Sequence, residues 1–173
     1  MDIFIEEMVK KVKSRKEALI SALVLVAAVL IIGLLVFVVL PLAKLFSSIV
    51  VLLIAGVGYG AYTFIGFQNK EFEYTLVNSA LDVDKILNKK LRRRMTSVNL
   101  YELEAFGTLK NPEYESYKNN SMVKKIDASR STDDEATIYF VYNAKSVKTM
   151  LLFTPSERIV NIVKKLYPKK EFK

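Results

Sequence analysis

Two long uncharged stretches near the N-terminus constrain this chain more than any other feature. Residues 19–40, LISALVLVAAVLIIGLLVFVVL, contain no Asp, Glu, Lys or Arg, and about 22 residues is the length a helix needs to cross a hydrocarbon core. Residues 46–67, FSSIVVLLIAGVGYGAYTFIGF, form a second stretch of the same kind. The intervening PLAKL offers Pro41 as a helix breaker and Lys44 as a polar tip. This spacing predicts a transmembrane helical hairpin. A cleaved signal sequence has a shorter apolar region and a small-residue cleavage site, and here a second span follows at once, so both helices are expected to be kept. Net charge +8 and mean hydropathy +0.22 fit a membrane part joined to a basic surface.

Orientation follows from the Lys and Arg residues that flank the spans. Lys10, Lys11, Lys13, Arg15 and Lys16 precede the first, only Lys44 lies between them, and the run KKLRRR at 89–94 follows the second. Both termini are therefore expected in the cytoplasm, with the chain a multi-pass protein of a cytoplasmic membrane. Tyr59, Tyr62, Phe64 and Phe67 crowd the exit of the second span, where aromatic rings sit well among headgroups. Gly56 and Gly60 have GxxxG spacing, with Gly58 between them. Small residues at this spacing let helix backbones approach closely. Packing of the second helix on the first is the favoured reading, and a homo-oligomer interface the other. Neither span holds an Asp, Glu, Lys or Arg, which argues against a proton relay or ion path. In residues 1–18, Ile5, Met8, Val9 and Val12 recur at the spacing of one helical face. That predicts a basic amphipathic segment, either lying on the inner leaflet or extending the first span.

The period changes after residue 67. In KEFEYTLVN, Phe72, Tyr74 and Leu76 alternate with Glu71, Glu73 and Thr75, the pattern of a strand with one buried face. Asn78 and Ser79 make a turn, and LDVDKIL alternates again. A third strand, about 91–98, is predicted to put Leu91, Arg93 and Met95 on one face and Arg92, Arg94 and Thr96 on the other, so at least one arginine needs a strand end or an acidic partner. Residues 99–120 are less periodic and read as a short helical or irregular crossing followed by a surface loop. Strand patterns return in KKIDAS, in ATIYFVYNA with Ile138, Phe140 and Tyr142 facing one way, and in VKTMLLF, whose two faces both look partly covered. Thr154, Pro155, Ser156 and Glu157 predict an N-cap, a proline at the first helical position and a capping-box glutamate. Ile159, Ile162, Val163 and Leu166 then form an apolar stripe, Pro168 stops the helix, and Lys164, Lys165, Lys169 and Lys170 favour its C-terminal end.

EFEYTLVNSALDVDKILNKKLRRRMTSVNLYELEAF resembles the opening of bacterial pleckstrin-homology-like domains, and LLFTPSERIVNIVKKLYP is similar to their closing strand and capping helix. A two-helix N-terminal hairpin with such a domain behind it resembles a family of small uncharacterised bacterial membrane proteins. The fold class implied is α+β: a transmembrane hairpin at 19–67, with spans 19–40 and 46–67, then a pleckstrin-homology-like antiparallel β-barrel or sandwich at 68–173 with a C-terminal capping helix. The family brings no activity that transfers to a residue here.

Cysteine and histidine are both absent, which removes thiolate nucleophiles, imidazole bases and the commonest soft metal ligands. No glycine-rich phosphate loop, nucleophile elbow or paired-metal motif occurs, so no catalytic residue, metal or cofactor is expected. Asp82 and Asp84 are two apart on one strand and are read as salt-bridge partners of the basic strand beside them. Asp133, Asp134 and Glu135 read as a solvated turn. Lys89, Lys90, Arg92, Arg93 and Arg94 are the candidate binding residues. Several basic side chains near an anionic leaflet contribute about 1 kcal/mol each, while charge on an edge strand also deters aggregation. Aromatic interleaving is missing from the run, so nucleic acid is not an expected partner. The expected function is a non-enzymatic, membrane-anchored interaction or scaffold module that binds anionic lipid headgroups or a membrane or cytoplasmic protein. The alternative is an accessory subunit of a membrane enzyme complex, lending Asp82 and Asp84 to a shared site.

Overall fold

The computed structural model describes residues 3–42, 44–131 and 133–167. They divide into two compact units, one of residues 13–69 and one that joins residues 3–12 to the chain from Lys70 onward. Pro168, Lys169 and Lys170 lie outside the described residues.

The first unit is a pair of helices, α1 (Arg15–Leu42) and α2 (Ser47–Phe67), both long and apolar enough to cross a membrane. Helix α1 starts at a capping box. The Ser14 hydroxyl accepts from the Lys16 N–H at 3.2 Å and the Glu17 carboxylate accepts from the Ser14 N–H at 3.1 Å. Pro41 does not break the helix as expected. The helix widens into a π-helical turn at Leu35–Val39 and continues through Pro41 to Leu42, which moves backbone carbonyls that the proline ring would otherwise meet. The two helices pack on each other, with Ala28 and Val50 buried. At the open end the Ser21 hydroxyl donates to the Gln68 side-chain oxygen at 2.7 Å.

The glycines of α2 are not part of that packing. A Cβ added at Gly56, Gly58 or Gly60 would have nothing within 4 Å. The expectation that they seat the second helix on the first is therefore corrected: the close contact is made by larger side chains elsewhere.

Among the described residues, the second unit holds eight strands in two four-stranded sheets. One sheet has the order β1 (Phe4–Lys10), β2 (Lys70–Val77), β3 (Ala80–Leu87), β4 (Leu91–Asn99), antiparallel throughout. In the other, β5 (Leu103–Thr108), β7 (Ile138–Ala144) and β8 (Val147–Phe153) are antiparallel, and β6 (Lys124–Ala128) lies parallel to β8. The inner faces share one core. Tyr74 meets Phe153 edge-on at 5.5 Å between ring centres, and Phe140 meets Phe153 at 4.7 Å, geometries that suit the ring quadrupoles. Leu76, Leu81, Val83, Leu100 and Leu151 complete this layer, all fully buried. Helix α4 (Glu157–Leu166) lays Ile159 and Val163 into it. On the outer face of the second sheet a smaller cluster forms under helix α3 (Pro112–Asn119), where Tyr114 and Tyr117 cover Tyr139, Met150 and Leu152. Both faces of β7 and β8 are thus covered.

Three local expectations are overturned. Residues 4–10 form a strand and not an amphipathic helix, because alternate residues Ile5 and Val9 pack on the core and the Ser14 cap begins the helix only at Arg15. The 99–120 region is ordered: a 3-10 turn at Leu100–Glu102 leads into β5, and Asn111 caps α3 by accepting from the Glu113 N–H at 3.0 Å. The last helix is capped by Ser156, whose hydroxyl accepts from the Arg158 N–H at 3.2 Å. Thr154 lies upstream, its hydroxyl accepting from the Arg130 N–H at 3.0 Å and bonding Thr137 at 2.9 Å.

Candidate functional site

The basic run lies at the tip of the β3–β4 hairpin and along β4, which is an outer strand of its sheet. The tip is tight. The Lys90 N–H donates to the Leu87 carbonyl at 3.0 Å, and Asn88 and Lys89 take left-handed backbone angles, φ 50° and 55°. Asparagine tolerates that region, whereas lysine is strained there.

Beyond the tip a register shift decides where the arginines point. Val83 is opposite Thr96, but Asp84 is opposite Arg94, so Met95 is an extra residue on β4. Met95 packs against the core, and the Thr96 hydroxyl bonds the core-facing Tyr142 hydroxyl. The predicted faces are corrected accordingly: Thr96 parts from Arg94, and the bulge turns both Arg92 and Arg94 onto the carboxylates of β2 and β3. Arg94 Nη2 is 2.9 Å from Asp82 Oδ2 and its Nε 3.2 Å from Asp84 Oδ1. Arg92 Nε is 2.9 Å from Asp84 Oδ2, and its Nη2 pairs with Glu73. Asp84, 8% exposed, thus has one oxygen on each arginine. The bond to Asp84 foremost raises the Arg92 pKa further.

The five sequence candidates therefore separate into two groups. Arg92 and Arg94 are held by the sheet's own carboxylates, while Lys89, Lys90 and Arg93 are solvent-exposed and make no ion pair among the described residues. Asp82 and Asp84 occupy the structural role that the cross-strand pattern implied. The acidic run is likewise a satisfied turn: Asp134 accepts from the Ala136 N–H at 3.0 Å, and Glu135 pairs with Lys110 at 2.8 Å. Among the described residues no group of three or more acidic side chains is arranged to hold a metal ion.

Sequence reasoning missed a second feature, built on β1. Glu7 points inward from this strand, and its carboxylate accepts the Ser156 N–H at 2.9 Å and the Ser156 hydroxyl at the start of α4, where a helix N-terminus favours negative charge. Beside it an open groove of about 500 Å³ is lined by Met8, Val9, Arg130, Pro155 and Arg158. The capping box Ser14-x-x-Glu17 was the available signal, since a helix that begins at Arg15 leaves the preceding residues free to be a strand.

No curated protein and no solved structure matches this chain. The sequence profile of one family, described as "Bacterial PH-like domain (DUF6106)", matches residues 1–173. Two sheets closed by a C-terminal helix and a profile match along the whole chain agree, and the chain belongs to this uncharacterised family of bacterial pleckstrin-homology-like proteins.

Proposed function

We propose that this protein is a non-enzymatic interaction module, held at the cytoplasmic face of a bacterial membrane by its helical hairpin and contacting anionic lipid through the β3–β4 tip. The observation that carries the reading is the pairing of β1 with β2. The chain leaves the sheet after Lys11, runs through two apolar helices, and re-enters at Lys70, whose carbonyl accepts the Lys11 N–H at 3.0 Å. Adjacent strands of one sheet have to lie on one side of a bilayer, which fits two crossings. The excess of Lys and Arg on the flanks over the connection supports the cytoplasm as that side. Lys89, Lys90 and Arg93 supply the contact with anionic headgroups, at about 1 kcal/mol each near the surface. The accessory-subunit alternative has less support, because both Asp84 oxygens already have arginine partners.

Because β1 belongs to the sheet, residues 68–173 alone are not a suitable sample, and the test uses the full chain. The protein has no native cysteine, so a fluorophore on Leu91→Cys can report energy transfer to labelled headgroups in nanodiscs. Transfer should be higher in phosphatidylglycerol than in phosphatidylcholine, fall as salt rises, and lose its salt dependence when Lys89, Lys90 and Arg93 are replaced by glutamine. Identical transfer for both proteins would leave edge protection as the role of these charges.

A further inference from the structure

The hydrogen-bond pattern of β1 determines which of its backbone groups are free. The Lys11 N–H donates to Lys70 and the Asn78 N–H to Ile3, at 3.0 and 2.8 Å, and the register between is unbroken from Phe4↔Val77 to Lys10↔Glu71. In an antiparallel pair every second residue exchanges both bonds, so Ile5, Glu7 and Val9 face β2. The N–H and C=O groups of Phe4, Glu6, Met8 and Lys10 face away from it. Val12, the next residue in that outward series, shows the direction, because its N–H donates to the Arg130 carbonyl at 2.9 Å. Among the described residues nothing takes up the outward groups of the other four. The groove beside Glu7, Met8 and Val9 leaves room along the edge.

The side chains of the same series are exposed and read apolar, acidic, apolar, basic, apolar. Phe4, Met8 and Val12 are 65%, 59% and 55% exposed, with Glu6 and Lys10 between them in solvent. Glu6 has no ion pair among the described residues, and Lys10 reaches Glu71 only at 4.0 Å with its side chain 80% exposed. This series is its own complement. An antiparallel copy turned about Met8 sets Met8 on Met8, Glu6 opposite Lys10 on both sides, and Phe4 beside Val12. That register also brings even-numbered residues opposite even-numbered ones, so the outward N–H and C=O groups of Glu6, Met8 and Lys10 meet their counterparts.

We propose that β1 is a dimerisation edge, on which a second copy of this chain pairs its own β1 antiparallel about Met8 and joins two four-stranded sheets into one of eight. The complementarity favours a copy over a foreign strand. Arg130 and Arg158 in the groove are balanced by Glu7 and Asp134, which gives no preference for a strongly acidic or basic segment. The proposal goes beyond the lipid reading and stands without it.

Cysteine scanning of the full chain, in membranes that contain it, tests the register. Residues paired across such a centre have Cα atoms about 5.5 Å apart, within the range a disulfide spans. Met8→Cys should give a disulfide dimer under mild oxidation. Glu6→Cys or Lys10→Cys alone places its two copies about 13 Å apart along the strands and should give roughly tenfold less, while a mixture of those two proteins should cross-link to each other. In the Met8→Cys protein, Glu6→Lys or Lys10→Glu should each lower the yield several-fold, and the two together should restore it. Met8→Pro removes only an outward N–H, which an edge strand tolerates, so it should abolish dimers while leaving thermal unfolding of the domain in place. Gly56→Leu with Gly60→Leu should not change the Met8→Cys yield. A yield that is flat across the scan, indifferent to charge reversal, or lost with the glycines overturns the proposal. So does a Met8→Cys chain captured on another protein without self-linking.

Discussion

The sheet of β1 to β4 ends in two outer strands that handle charge in opposite ways. On β4, a bulge at Met95 brings Arg92 and Arg94 over Glu73, Asp82 and Asp84, so these five charges are part of the sheet's own surface. On β1, Glu6 and Lys10 stay in solvent beside backbone groups that have no partner among the described residues. Edge strands usually carry charge to deter pairing. Here the strand with more charge has two of its three arginines, Arg92 and Arg94, paired with the sheet's own carboxylates, and the strand with balanced charge carries a pattern that matches a copy of itself. Charge density alone does not locate an interaction surface; what matters is whether the sheet already supplies the partner.

The comparison is broken most severely by removing β1. A chain without residues 1–12 should lose cooperative unfolding of the domain in thermal or denaturant melts, since Phe72, Tyr74 and Leu76 lose a neighbouring strand and α4 loses Glu7 at its N-terminus. Restoring residues 1–12 through a short linker directly to Lys70, with the helices omitted, should bring the transition back.

A smaller contrast separates the two edges within the intact fold. Asp84→Ala removes the carboxylate shared by both arginines and should cost about 1–2 kcal/mol, discounted for the solvent that reaches the guanidinium groups. Met8→Ser, on the open edge, should change the stability of the monomer by no more than about 0.5 kcal/mol. Equal costs measured by chemical denaturation would erase the distinction.

The tie between β1 and the other sheet has a pH signature. Burial disfavours the Asp127 charge, but the Lys11 ammonium at 2.7 Å and bonds from Ser129 together hold its carboxyl below the usual range. A carboxylate with a lowered folded pKa adds stability above its unfolded value of about 3.9 and loses it as pH falls through the lowered one. The stability gap between wild type and Asp127→Asn should therefore be full near neutrality and close on acidification below about pH 4. A gap that widened with acid would contradict the pairing.

Lys89→Gly sharpens the view of the β4 side with the smallest effect. Relieving a left-handed lysine should stabilise the hairpin by about 0.5–1 kcal/mol, while removing one of the three exposed cations proposed to meet lipid.

Much of this architecture was legible in the sequence for simple reasons. The apolar helices announce themselves by length, and β2, β3, β7 and β8 by period-two alternation. The Asp84 pairs with Arg92 and Arg94 were implied by an acidic strand beside a basic one. The concealed parts share a cause, which is that two periods fit the same residues or that alternation is interrupted. Ile5, Met8, Val9 and Val12 satisfy a helical stripe, and the strand reading needs Glu7 to be inward, which only its bonds to Ser156 make acceptable. In β5 a register shift between Leu103 and Ala105 disrupts the pattern. The parting of Thr96 from Arg94 depends on a bulge that no local pattern marks, and the pairing of β1 with β2 joins residues far apart in the chain.

That last pairing also orders events in the life of the protein. β1 is synthesised first, yet its partner strand emerges only after both apolar helices have been made, so the domain cannot nucleate from its N-terminus as the chain leaves the ribosome. For a chain threading into a bilayer, completion of the sheet waits on delivery of both helices, and a copy in which only one helix crosses leaves β1 and β2 in different compartments. Such a copy keeps Phe72 and Tyr74 without their outer strand. Under the proposed topology, completion of the sheet therefore depends on insertion of both helices.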